Sequence, residues 1–323
     1  MADPTSAPPD EHGRPNIPPN DPPRTGTAVQ SPCATHYLVP SSGCVDRDAR
    51  ITVMHNKISG LVVGPVNGHD FLNRYMKQPA KVALDEQSIE NFTVVMMGLQ
   101  GIKVEEQMYK PWVVLRYILV CPTADSPSCS KVEVMQAMCP DLVVVDTHGC
   151  PAGGFDCKEV KPDASLYDAT TYERGTGRIQ DIKKSQMMVE FKVSEGGDPF
   201  DDNPWNPFER TDQTADETLG QITLYATAHA AAQYRTHIFS ALVFPNYTRL
   251  MRRDRSGIVV TEKPPRDSDA LYLFFRRFNY STPDVRGIDT TVNTNPTLNR
   301  ESESTIRRAL NCESRGAAIF SRH

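Results

Sequence analysis

Along Met187-Met188-Val189-Glu190-Phe191-Lys192-Val193 the side chains alternate. Met188, Glu190 and Lys192 fall on one face of a predicted strand, and Val189, Phe191 and Val193 on the other. The period then lengthens to that of a helix over residues 215–234, which sets Gln221 and Tyr225 one turn apart. An apolar strand follows over 238–244, with a turn at Pro245-Asn246. A basic strand over 248–253, a turn at Asp254-Arg255-Ser256-Gly257 and a last strand over 258–261 complete a meander. A carboxylate and an amine two residues apart on one strand face, backed by a helix, make a candidate site.

Upstream, 36–66 carries apolar runs too brief to assign. Residues 69–76 and 88–99 read as helices, the second opened by Asp85 or Ser88. Over 104–120, Pro111 predicts a helix that begins at the proline, because a first-turn proline is tolerated and an interior one is not. Residues 131–135 alternate as a strand. Asp141 opens a β-branched strand, 141–146, that reads as buried on both sides at its centre. Residues 148–186 are polar and glycine-rich and read as one long connection. Residues 267–280 read as an amphipathic helix with Phe274, Phe275 and Phe278 in the core. Beyond Gly287 the chain turns polar, with a short helix over 305–310.

The 323 residues suit one large domain or two small ones. Eight prolines stand within the first 23 residues, and apolar residues are scarce there, so a disordered tail is expected over 1–35. A net charge of −5 gives no general expectation of nucleic-acid binding, so any such binding needs a local patch. Arg249, Arg252, Arg253 and Arg255 form a basic hairpin, either a phosphate contact or a charged edge that blocks aggregation; the second is favoured. Trp205 sits in a polar, proline-broken loop that is a lid or a partner-binding loop. His237 reads as a satisfied structural histidine. No apolar run is long enough to span a membrane, and no secretory signal pattern is present. The eight cysteines form no CxxC pair, which predicts reduced thiols in a cytoplasmic or nuclear protein, with a disulfide within 139–157 left open.

Pro140-Asp141 on one strand, Glu190-x-Lys192 on the next and Gln221-x-x-x-Tyr225 on the helix after it resemble the PD-(D/E)xK nuclease-like superfamily. The resemblance implies an α/β (α+β) fold, a restriction-endonuclease-like mixed sheet flanked by helices. It also implies a Mg²⁺-dependent phosphodiester-cleaving site. Asp141 and Glu190 would be metal ligands, Lys192 would orient or deprotonate a water or offset developing charge, and Gln221 would position the water or phosphate. The plainer reading makes Glu190 and Lys192 an ion-pair face and Gln221 a helix surface residue.

A second resemblance overlaps the first. Gly220-Gln221-Ile222-Thr223-Leu224-Tyr225-Ala226, Gln233-Tyr234-Arg235-Thr236-His237-Ile238-Phe239, the run from Arg249 to Glu262, and Phe274-Phe275-Arg276-Arg277-Phe278 look like the fungal-type protein kinase family, as does Arg286-Gly287-Ile288-Asp289-Thr290-Thr291-Val292. The match covers about residues 187–292. In that family these segments lie ahead of, or at the entrance to, the kinase core. The sequence carries no glycine-rich phosphate loop, no His-Arg-Asp loop with its asparagine, no Asp-Phe-Gly and no Ala-Pro-Glu. The reading is therefore an N-terminal module, residues 36–285, without kinase activity. Its expected partner is a nucleic acid or a protein, and the alternative is a non-catalytic interaction or regulatory module.

Overall fold

The computed structural model describes residues 47–77, 86–113, 118–119, 131–132, 138–149, 160–170, 172, 181–264 and 268–292. The expected disordered tail and the helix over 305–310 lie outside them. So does every cysteine except Cys139, a buried free thiol.

In chain order the elements are α1 (Arg47–Ile58), β1 (Val62–Val66), α2 (Gly68–Tyr75), α3 (Glu86–Met97), α4 (Glu106–Val113), β2 (Ile118–Leu119), β3 (Lys131–Val132), β4 (Leu142–Asp146), β5 (Ala164–Asp168), β6 (Ser185–Phe191), α5 (Gln213–Gln233), β7 (Ile238–Val243), β8 (Thr248–Asp254), β9 (Gly257–Thr261) and α6 (Ala270–Tyr280). A seven-stranded mixed sheet runs β1-β9-β8-β7-β6-β5-β4. β5 is antiparallel to both of its neighbours, β4 and β6, and β6 then pairs in parallel with β7 after the α5 crossover. The last hairpins return the chain to β1, which is parallel to β9.

Helices cover both faces of the sheet. On one face Val189, Phe191, Phe239, Ala241 and Leu250 pack against Phe71, Phe92, Tyr109 and the aromatic stripe Phe274, Phe275 and Phe278. On the other, Met188, Leu242, Met251 and Val260 pack against α5 and α1 through Ile222, Leu224, Tyr225, Ile51 and Ile58. Gly220 lets α1 lie directly on α5: a β-carbon there would come within 2.3 Å of the Ile51 carbonyl oxygen. Asp212 caps α5 by accepting from the Ala215 N–H at 3.1 Å.

Several expectations change. The connection 148–186 contains a strand, β5, whose short Ala-Ser-Leu-Tyr-Asp run is hidden among polar neighbours. β4 is an edge strand, so its centre is only half-buried rather than covered on both faces. Residues 131–132 pair with 118–119 in a separate two-stranded sheet, outside the main one. Helix α4 starts at Glu106, five residues before Pro111. Turns at Gln107 N–H to Val104 carbonyl and Met108 N–H to Glu105 carbonyl lead into it. Three arginines of the basic hairpin are held within the fold rather than lining a free edge, while Arg255 is exposed. Arg249 is wholly buried, Arg252 pairs with Asp254, and Arg253 donates to the Thr223 carbonyl and the Thr227 hydroxyl. His237 is satisfied at both ring nitrogens, by the Val285 carbonyl and the Thr236 hydroxyl. Trp205 stands 90% exposed on a loop that Arg249 anchors through Asp198, Asp202 and the Phe200 carbonyl.

Candidate active site

The strand pattern that alternates Glu190 with Phe191 sends the Glu190 carboxyl toward α5 and the Phe191 ring toward the opposite core. Glu190 is 3% exposed. Its Oε1 accepts from Lys192 Nζ at 2.7 Å and from Gln221 Nε2 at 2.7 Å. Its Oε2 is buried and, among the described residues, has no hydrogen-bond partner. Gln221 Nε2 also donates to the Tyr225 hydroxyl at 2.9 Å, and that hydroxyl donates to the Lys161 carbonyl at 2.9 Å. The helical Gln221/Tyr225 pair thus ties α5 to the segment that leads into β5.

That segment supplies a second carboxylate. Ala164 pairs with Val189, so Asp163 stands beside Glu190 across the ladder. Asp163 Oδ2 accepts the Phe191 N–H at 2.8 Å, and Oδ1 accepts the Tyr109 hydroxyl at 2.9 Å. Tyr109 also lies 3.1 Å from Glu105 Oε1, at the start of α4. One hydroxyl proton therefore faces two carboxylate oxygens, and it satisfies one of them at a time. Glu105 Oε2 is 3.9 Å from Lys192 Nζ.

Three carboxyl groups face one ammonium, so the fully ionised cluster carries two uncompensated negative charges. Burial, with the Asp163 charge adding to it, pushes the Glu190 carboxyl up to about 8, although Lys192 pulls the other way. Burial likewise raises Asp163 above the usual carboxylate range, against the pull of the Phe191 N–H and Lys192. Lys192 loses charge stability to burial, but Glu190 and Glu105 more than restore it and hold it as an ammonium.

Glu190, Lys192 and Gln221 come together. Asp141 does not join them. It immediately precedes β4, at the far end of the β4–β5 pair, where its carbonyl accepts the Ala169 N–H. The five residues of β5 separate that end from Asp163, about 20 Å at the usual strand rise. The Asp141 side chain is exposed and is held by Asn279 Nδ2 at 3.1 Å. The Pro–Asp pair beside Glu190 is Pro162-Asp163. It carries the same dipeptide ahead of an apolar run, but it lies inside a stretch that composition marks as a loop. Glu105 and Tyr109 have no local sequence signal, since only tertiary packing brings α4 over Asp163.

The donor set suits a hard cation in part. Glu190 Oε2 is an orphaned buried oxygen beside Asp163, and the excess charge of the fully ionised cluster matches that of one divalent ion. Magnesium commonly takes only one or two protein carboxylates and fills the rest with water or phosphate oxygens. Among the described residues, no three carboxylate, imidazole or thiolate groups form a ready-made metal cage. Also among the described residues, no helix is long and apolar enough to cross a membrane. The chain matches no protein-family model, no curated protein and no solved structure.

Proposed function

We propose that this chain is a nuclease-like module of the PD-(D/E)xK kind, with a restriction-endonuclease-like core formed by β4, β5, β6, α5 and β7. We propose that it belongs to the N-terminal part of the fungal-type protein kinase family, has no kinase activity of its own, and takes nucleic acid as its substrate. The observation that carries this reading is the placement of Asp163 and Glu190 on neighbouring strands at one end of the sheet, with Lys192 donating to Glu190 and Gln221 closing the cluster from α5.

Asp163 and Glu190, the latter through Oε2, would hold Mg²⁺. When bound, such an ion would polarise a phosphate and acidify a water. Lys192 places an ammonium beside the position of the scissile phosphate and offsets charge that builds up there. Gln221 fixes the Glu190 carboxyl by donating to Oε1, leaving Oε2 for the ion. Tyr225 fixes Gln221 in turn.

Cleavage of DNA and RNA in Mg²⁺ or Mn²⁺, measured against the same protein in chelator, tests this directly. Metal-dependent cleavage by the wild type that drops at least about a hundredfold in Lys192→Met is the expected result. No metal-dependent cleavage would rule the reading out. A second reading, a non-catalytic interaction or regulatory module, draws on one observation: Lys192, Gln221 and Asp163 all bond within the cluster itself. That reading predicts no cleavage and no response to metal.

A further inference from the structure

Asp146 and His148, at the end of β4, play no part in the motif, yet the fold carries them to the same end of the sheet. Asp146 pairs with Ala164, the residue after Asp163. Between them, Thr147 donates its N–H to the Asp163 carbonyl at 2.9 Å and its hydroxyl to the Pro162 carbonyl. Asp146 Oδ1 accepts the His148 N–H at 3.2 Å and also bonds His148 Nδ1. The His148 ring lies on the Tyr109 ring, centroids 4.8 Å apart, and Tyr109 is the residue that bridges Asp163 and Glu105.

An ionised carboxylate only accepts hydrogen bonds, so Nδ1 carries a proton, and in the neutral ring Nε2 then presents a lone pair. Among the described residues Nε2 has no hydrogen-bond partner, and the side chain is 40% exposed. The Lys192 amine, by contrast, is committed to Glu190 Oε1. Gln221 has no basic nitrogen.

We propose that Asp146 and His148 form a proton-accepting dyad, with His148 as general base toward the attacking water and Asp146 as the group that fixes its tautomer and orientation. This rests on the phosphodiester-cleaving reading above. As the water oxygen bonds to phosphorus, His148 Nε2 takes one of the water protons. The bond from phosphorus to the leaving sugar oxygen breaks, and its electron pair stays on that oxygen, which takes a proton from solvent water. His148 then returns its proton to bulk water, so the net change is the addition of one water across the ester.

The test uses the full chain with Mg²⁺ or Mn²⁺ and two substrates, DNA and bis(p-nitrophenyl) phosphate, whose leaving group needs no protonation. A general base acts on the nucleophile, so His148→Ala should lose about 10²- to 10⁴-fold on both substrates. Added imidazole should restore part of that rate. Asp146→Asn should lose activity on both substrates with an unchanged melting temperature. Full activity in His148→Ala, no recovery with imidazole, or a loss confined to DNA would overturn the base role while leaving the cleavage reading intact. No cleavage of either substrate by the wild type would remove the cleavage reading and this role with it.

Discussion

Two buried ion pairs sit near the same end of the sheet and are built in opposite ways. At the first, Arg249 and Asp198 are both wholly buried. Arg249 Nε donates to both Asp198 oxygens, its Nη1 to Asp202 and the Thr261 carbonyl, and its Nη2 to the Phe200 carbonyl. Asp198 also accepts from the Tyr247 hydroxyl and the Phe200 N–H. Both partners are surrounded by protein groups that answer them. At the second, Lys192 meets Glu190, but Glu190 keeps an orphan oxygen and two more carboxyl groups lie close by. A buried charge with all its partners fastens a loop. One left short of partners, with excess charge of one sign, is an opening for something the chain does not itself supply.

The comparison breaks most visibly at Arg249. Arg249→Leu removes the cation and leaves Asp198 buried and uncompensated, so a loss of about 3–5 kcal/mol is expected in denaturant unfolding. A loss under about 1 kcal/mol would mean that this pair is no fastener.

The second cluster should respond to pH instead. A carboxyl raised above its unfolded value keeps its share of stability below the unfolded value, near pH 4.3, and loses it as pH rises through about 8. Glu190→Gln removes that titration. Its stability relative to wild type should therefore climb between pH 5 and pH 8, by on the order of 3–4 kcal/mol, since a tenfold difference in proton affinity between folded and unfolded chain is worth about 1.4 kcal/mol. Parallel stability curves for the two proteins would show that Glu190 ionises normally.

The smallest expected effect is at the residue the sequence motif favoured. Asp141→Asn alters an exposed side chain bonded to Asn279, and should change stability by less than about 0.5 kcal/mol. A loss of metal response in this variant would return Asp141 to the site.

The contrast also marks where sequence reading works. Glu190, Lys192 and Gln221 are legible because strand alternation and helical spacing are local, and both periods run cleanly from Met187 onward. The hairpin of β8 and β9 and the aromatic face of α6 are legible for the same reason. Asp163 is not, because β5 is short and sits between polar, glycine-rich flanks. Asp141 draws the assignment because a strongly β-branched strand follows it. That strand is at the sheet's edge, and it runs antiparallel to β5, which puts its first residue at the wrong end. Glu105 and Tyr109 depend on α4 docking against β4, next to Asp163, which no local pattern encodes. Arg249 reads as surface charge, because its acidic partners lie about 50 residues earlier in a loop.

We propose Asp163 and Glu190, rather than Asp141 and Glu190, as the cation-binding pair. Thermal unfolding of the full chain with and without Mg²⁺ or Mn²⁺ tests it most directly, because a ligand that binds only the folded state stabilises it, by about 2.7 kcal/mol at a hundred times its dissociation constant. The account predicts a metal-dependent rise in melting temperature that persists in Asp141→Asn and disappears in Asp163→Asn and in Glu190→Gln. No rise in the wild type, or a rise that survives in the Asp163→Asn/Glu190→Gln double variant, would contradict it.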